Sequence, residues 1–238
     1  MKTLLIGMMV ALHLVGCGEE AQKKAVQNEA PFVDKWAEWE ANPEPYGGLR
    51  VLARIKKAKE GVAQGRDEQT IMGNFEPTKL LLISNQISDL SPLAGLTNLE
   101  RLILSGNKIS DLSPLKGLTK LKELKLGDNQ ISDVSPLAGL TNLKTLHLRD
   151  NQITDLTPLK GLTNLELLYL DENKISDVSP LAGLTNLKYL NLLDNQITDL
   201  SPLKGSTNLG RLWVDGNQIP DHQKAMLKKA LPNCEIHF

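Results

Sequence analysis

Leucines or equivalent aliphatics stand five and three residues before an asparagine along most of this chain, and the asparagines keep strict time. Asn85, Asn107, Asn129, Asn151, Asn173, Asn195 and Asn217 fall 22 residues apart. Each is followed by Ile at +2 and Asp at +4, and the first six then by a run of the form [LV]-[ST]-P-L-x-G-L-T, with Ser206 for its second Leu in the sixth. A fixed period of this length predicts a solenoid in which every repeat is one coil. The residues before each Asn alternate apolar and variable, as in a strand with one buried face. Stacked coils would pair these strands in parallel, about 4.8 Å apart. The asparagine sits where the chain turns out of the strand, and its carboxamide has a donor and an acceptor for backbone groups of its own and the neighbouring coil. Ser91-Pro92, Ser113-Pro114, Ser135-Pro136, Thr157-Pro158, Ser179-Pro180 and Ser201-Pro202 predict a hydroxyl N-cap before a proline-started turn. Gly95, Gly117, Gly139, Gly161, Gly183 and Gly205 follow where that turn must stop. The recurring Asp89, Asp111, Asp133, Asp155, Asp177, Asp199 and Asp221 are expected to form and cap turns. In the column Leu96, Leu118, Leu140, Leu162 and Leu184 the next residue is Ser206, which predicts a locally thinner core.

The motif L-x-x-L-x-L-x-x-N-x-[IL], seen in full from Leu99 to Ile109, resembles the leucine-rich repeat. The 22-residue form with D-[LV]-[ST]-P-L is similar to the internalin-type bacterial subclass. The expected fold class is thus α/β: a curved leucine-rich repeat solenoid, with a concave parallel sheet and short 3₁₀ or α turns on the convex side. Seven repeats are expected over residues 77–219.

Both ends of such a stack need caps, because a terminal coil would otherwise expose its interior. Residues 31–76 form the predicted N-terminal cap. Phe32, Val33, Trp36 and Trp39 share one helical face, and Val51, Leu52, Ile55, Ala58 and Val62 share a second. Residues 220–238 are the predicted C-terminal cap, a helix from Asp221 to Ala230 and an eighth edge strand from Glu235 to Phe238. Cys234 is expected to be a buried structural thiol.

The chain opens with Lys2 and an apolar run from Leu4 to Leu12, the pattern of a secretory signal over residues 1–16. Leu14-Val15-Gly16-Cys17 resembles a bacterial lipobox, which implies that Cys17 is acylated and becomes the mature N-terminus. Residues 17–30 then read as a polar tether. Two or more acyl chains, at about 0.8 kcal/mol per buried methylene, would hold the protein firmly. With Gly18 after the cysteine, the resemblance implies lipid anchoring to the envelope, at the outer membrane or cell surface. Removal of residues 1–16 leaves 222 residues with 26 Lys+Arg against 28 Asp+Glu. That balance gives no attraction to nucleic acid.

Function is sought at the variable positions of the strands, which face away from the interior. Leu167, Tyr169, Tyr189, Leu193 and Trp213 cluster in the last coils, with His147, Arg149, Asp171, Asn191, Arg211 and Asp215 around them. An aromatic patch with a polar rim is what a protein-recognition surface looks like. Asp128, Asp150, Glu172 and Asp194 form an acidic column on consecutive coils, either a solvated edge or a Ca²⁺ site. No H-E-x-x-H, G-x-S-x-G or phosphate loop occurs, so neither catalysis nor a cofactor is expected. The expectation is a monomeric, non-enzymatic, envelope-displayed module that binds a protein partner through its concave face. The alternative is a passive structural lipoprotein without a dedicated ligand.

Overall fold

A computed structural model describes residues 78–238. The signal segment 1–16, Cys17 and the tether to residue 30, and the helical cap 31–76 lie outside the described residues.

Eight strands form one parallel sheet in chain order: β1 (Lys79–Leu81), β2 (Arg101–Ile103), β3 (Glu123–Lys125), β4 (Thr145–His147), β5 (Leu167–Tyr169), β6 (Tyr189–Asn191), β7 (Arg211–Trp213) and β8 (Glu235–His237). Helix α1 (Asp221–Ala230) lies between β7 and β8. The register repeats without a slip, Leu102 pairing Leu124 and Leu124 pairing Leu146. Each strand is short because the coil must turn at both of its ends. Within one coil Leu99, Leu102, Leu104, Ile109, Leu115 and Leu118 are all fully buried, and equivalent residues repeat in the next coils. At about 1.5–3 kcal/mol per fully buried aliphatic side chain, this interior is the main stabilising term.

The asparagine ladder works as its chemistry requires. Asn151 Nδ2 donates to the carbonyls of Leu148 (3.1 Å) and Arg149 (3.0 Å) in its own coil and of Leu126 (3.0 Å) in the preceding one. Its Oδ1 accepts the N–H of Ile131 (2.9 Å). Asn107, Asn129, Asn173, Asn195 and Asn217 make the same bridge.

Two turn details differ from the expectation. The Ser or Thr before each proline caps nothing; it is the first residue of the 3₁₀ turn, and the aspartate two positions earlier does the capping. Asp133 Oδ1 accepts the N–H of Ser135 (2.8 Å) and its Oδ2 accepts the Ser135 hydroxyl (2.9 Å). A carboxylate has acceptors for both donors at once, which a hydroxyl does not. The glycines that were to stop the turn are mostly not needed for their backbone. Only Gly95 has a positive φ, +86°, whereas Gly117, Gly139, Gly161, Gly183 and Gly205 do not. The chain leaves the turn through further i→i+3 bonds such as Leu118 N–H to Leu115 O (3.0 Å), so no left-handed residue is required.

A second ladder was not read from the sequence. Asn142, Asn164, Asn186 and Asn208 donate to the carbonyls of Thr119, Thr141, Thr163 and Thr185 at 2.8–2.9 Å, stitching consecutive coils on the turn side. At the C-terminal end α1 packs against the last 3₁₀ turn, and Ser206 is buried there at 3% exposure. Cys234 is half-exposed instead of buried, because it sits just before the edge strand and not under it. Among the described residues no helix is long and apolar enough to cross a membrane.

Candidate functional site

Alternation along each strand sends Leu146, Leu168, Leu190 and Leu212 inward at 0% exposure, and their neighbours to the open face. Parallel register then sets His147, Tyr169, Asn191 and Trp213 in one row across β4 to β7. A second row holds Leu167, Tyr189 and Arg211, and a third, just past the strand ends, holds Arg149, Asp171, Leu193 and Asp215. All eleven candidate residues share this face.

The rings lie on one another. His147 stacks on Tyr169 at 3.9 Å between centroids, and Tyr169 meets Tyr189 at 4.7 Å with a 31° tilt. Trp213 stacks on His237 at 3.7 Å. Such pairs contribute about 0.5–1.5 kcal/mol each beyond the area they bury. This contact also corrects an expectation, since these side chains are half-buried by their neighbours and not bare. Among the described residues the large exposed hydrophobic is Ile83, at 44%. Polar side chains pair with one another around the rings. Arg149 Nε lies 3.3 Å from Asp171 Oδ2 and its Nη2 2.6 Å from Glu172 Oε1. Arg211 pairs with Glu235 at 2.8 Å, and the Asn191 side chain accepts the Leu193 N–H at 3.1 Å.

Burial governs the electrostatics. His147 is pushed down to about 4, first by desolvation and then by the charge of Lys125, so the ring is neutral near pH 7. Asp171 is raised by its own desolvation despite Arg149, and its residue is 5% exposed. Its Oδ1 has no hydrogen-bond partner, nor does Trp213 Nε1. A desolvated acceptor and donor without partners are costly features for a protein to keep.

The acidic column has a backbone explanation. Asp128, Asp150, Glu172 and Asp194 have φ of +58°, +48°, +55° and +53°, while Ser84, Gly106 and Gly216 at equivalent positions are at +54°, +71° and +71°. The position is left-handed in every coil, which favours Gly, Asn and Asp. Reading the column as Ser, Gly, Asp, Asp, Glu, Asp, Gly would have revealed this. Among the described residues no group of His, Cys, Asp or Glu is arranged to hold a metal ion. Sequence reasoning also left β8 in the cap, yet Glu235 and His237 complete the open face beside Arg211 and Trp213.

Six overlapping matches to the family described as "Leucine Rich repeats (2 copies)" run from residue 78 to residue 224. The chain belongs to the leucine-rich repeat family. Its repeats are internalin-like. An internalin C2 from Listeria monocytogenes is 40% identical over 77% of this chain and 81% of its own, with a TM-score of 0.66. The internalin InlF of the same organism is 34% identical over 78% of this chain, with a TM-score of 0.67, and the match spans 55% of that internalin's length. A plant peptide hormone receptor solved in complex with RGF2 is 25% identical over 60% of this chain and 25% of its own, with a TM-score of 0.54. A search of curated protein sequences finds no match. Leucine-rich repeat proteins of these kinds commonly act in protein–protein recognition.

Proposed function

We propose that this leucine-rich repeat protein is a non-enzymatic recognition module, displayed on the bacterial envelope by a lipid on Cys17, that binds a protein partner through the open face of β4 to β8. The observation that carries the reading is the aromatic row. His147, Tyr169 and Tyr189 form a continuous ring surface across β4 to β6, and Trp213 with His237 forms a second stacked pair on β7 and β8. No requirement of the solenoid interior places rings there, because every coil buries its aliphatics without them. Rigid aromatics that bury area at low entropic cost are what binding hot spots use. The plant receptor that shares this repeat architecture is a peptide hormone receptor, which agrees with the same mode of use.

The test replaces Tyr169, Tyr189 and Trp213 together by Ala and compares the proteins captured from envelope and host extracts. Loss of the captured partner is the expected result, with the repeat fold retained in circular dichroism and the melting temperature lowered only by the lost ring contacts. Capture of the same proteins by both forms would show that the open face is not the recognition surface and favour the passive lipoprotein. Incorporation of radioactive palmitate tests the anchor: label is expected in the wild type and absent from Cys17→Ser.

A further inference from the structure

We infer that the partner presents a cationic segment, seating lysine or arginine side chains beside the ring edges of Tyr169 and Tyr189 with their charge above Asp171, Asp194 and Asp215. This rests on the recognition reading above and narrows its partner.

The charge on the open face is divided by position. In the first three coils Lys79, Arg101 and Lys125 oppose Glu123 and Asp128. From β4 onward the same rows and the left-handed column hold six carboxylates, Asp150, Asp171, Glu172, Asp194, Asp215 and Glu235, against Arg149 and Arg211 alone. The lysines flanking this half, Lys144 and Lys188, are both engaged by Glu166, at 3.6 and 2.6 Å. Lys174 lies beyond the asparagine, on the turn. Arg149 is spent on Asp171 and Glu172, and Arg211 on Glu235. Among the described residues Asp150, Asp194 and Asp215 are left without an ion-pair partner.

An acidic surface alone would be only a solvated edge. The floor of this one is different. The Asp171 side chain is 8% exposed, and its Oδ1 accepts no hydrogen bond. That desolvated carboxylate lies beneath the surface carboxylates, and its field, poorly screened by water, adds to theirs in drawing a partner's guanidinium or ammonium group to the surface above it. Arg149, reaching Asp171 Oδ2 from one side, already shows how a guanidinium is taken there.

The experiment measures fluorescence anisotropy of labelled peptides of about twelve residues, built on arginine–glycine–serine, glutamate–glycine–serine or glycine–serine repeats, against the full chain. The arginine peptide is expected to bind at least about tenfold more tightly than the other two, and to weaken as salt rises. Asp171→Asn should cost about tenfold in its affinity while raising the melting temperature, because a desolvated charge is removed. A loss through misfolding would lower that temperature instead. Glu100→Gln, on the opposite half of the sheet, should leave the arginine peptide unaffected. Equal binding of the three peptides, or no loss in Asp171→Asn, would overturn the inference. So would a dimer in sedimentation that is abolished by Tyr169→Ala, since a second copy would then be the occupant. If the arginine peptide fails while the triple alanine form still loses its partner from extracts, the cationic partner is wrong and the recognition surface stands.

Discussion

The two faces of one sheet are built under opposite rules. Inward, Leu102, Leu124, Leu146, Leu168, Leu190 and Leu212 are the same residue at the same 0% exposure, so each coil is interchangeable with the next. Outward, the row beside them reads Leu81, Ile103, Lys125, His147, Tyr169, Asn191 and Trp213, with no two residues alike. The difference separates what the fold needs from what it carries. Repetition inside lets stability accumulate coil by coil and leaves the open face free to vary, since little in the interior depends on it.

The strongest way to break this contrast is to cut the repeated side. Asn151→Ala removes four hydrogen bonds, two of them between coils, and leaves the Ile131 N–H without its acceptor. With about 1–3 kcal/mol for the N–H left unpaired and about 0.5–1.5 kcal/mol for each of the other hydrogen bonds lost, a destabilisation of about 3–5 kcal/mol is expected in urea denaturation. Tyr189→Ala, on the open face of an adjacent region, should cost far less. Comparable losses at the two sites would mean that the rings are structural.

How much could be read in advance follows the same division. Of what recurs in every coil, the strands, the period, the role of the strand-turn Asn and the fold class were legible, because seven copies of one pattern leave few alternatives. Polar neighbours were the difficulty. Asp133 and Ser135 both suit a cap, and only the geometry shows that the carboxylate accepts and the hydroxyl donates. The left-handed column was masked by its acidity, and the ladder of Asn142, Asn164, Asn186 and Asn208 by the conspicuous asparagines of the strand turn. On the open face the residues of the patch could be named. That Asp171 is desolvated and Tyr169 is shielded by His147 and Tyr189 depends on packing across three coils, which no single repeat encodes.

A smaller effect sharpens the contrast from the open face. His147 is held near 4, against an ordinary value near 6.5. The unfolded chain therefore binds a proton that the folded chain refuses between those values, so stability falls as pH is lowered from about 6.5 to about 4. Discounted for the part of the ring that faces solvent, the loss is of the order of 1 kcal/mol. Asp111, Asp155 and Asp199, which cap turns, are lowered by their bonds to Ser113, Thr157 and Ser201, so what they contribute is lost only below the ordinary carboxylate range. His147→Gln should accordingly flatten the stability profile above about pH 4.5 and leave the acid limb in place. A profile unchanged by that substitution would place the ring in water.

The smallest effect lies on the turn side, where repetition exceeds what the backbone demands. Gly139 has no positive φ, and a Cβ built on it meets nothing within 4 Å. Gly139→Ala should therefore stabilise by about 0.4–1 kcal/mol, by narrowing the unfolded ensemble. Gly216 is the opposite case. Its φ is +71°, and a Cβ there would stand 1.9 Å from Asp194 Oδ1. Gly216→Ala must strain the backbone and push aside a flexible carboxylate, a loss of about 1–2 kcal/mol. Chemical denaturation of the two variants should move their midpoints in opposite directions. If both fall, the turn glycines are as constrained as the left-handed column, and repetition on that side reflects conformation after all.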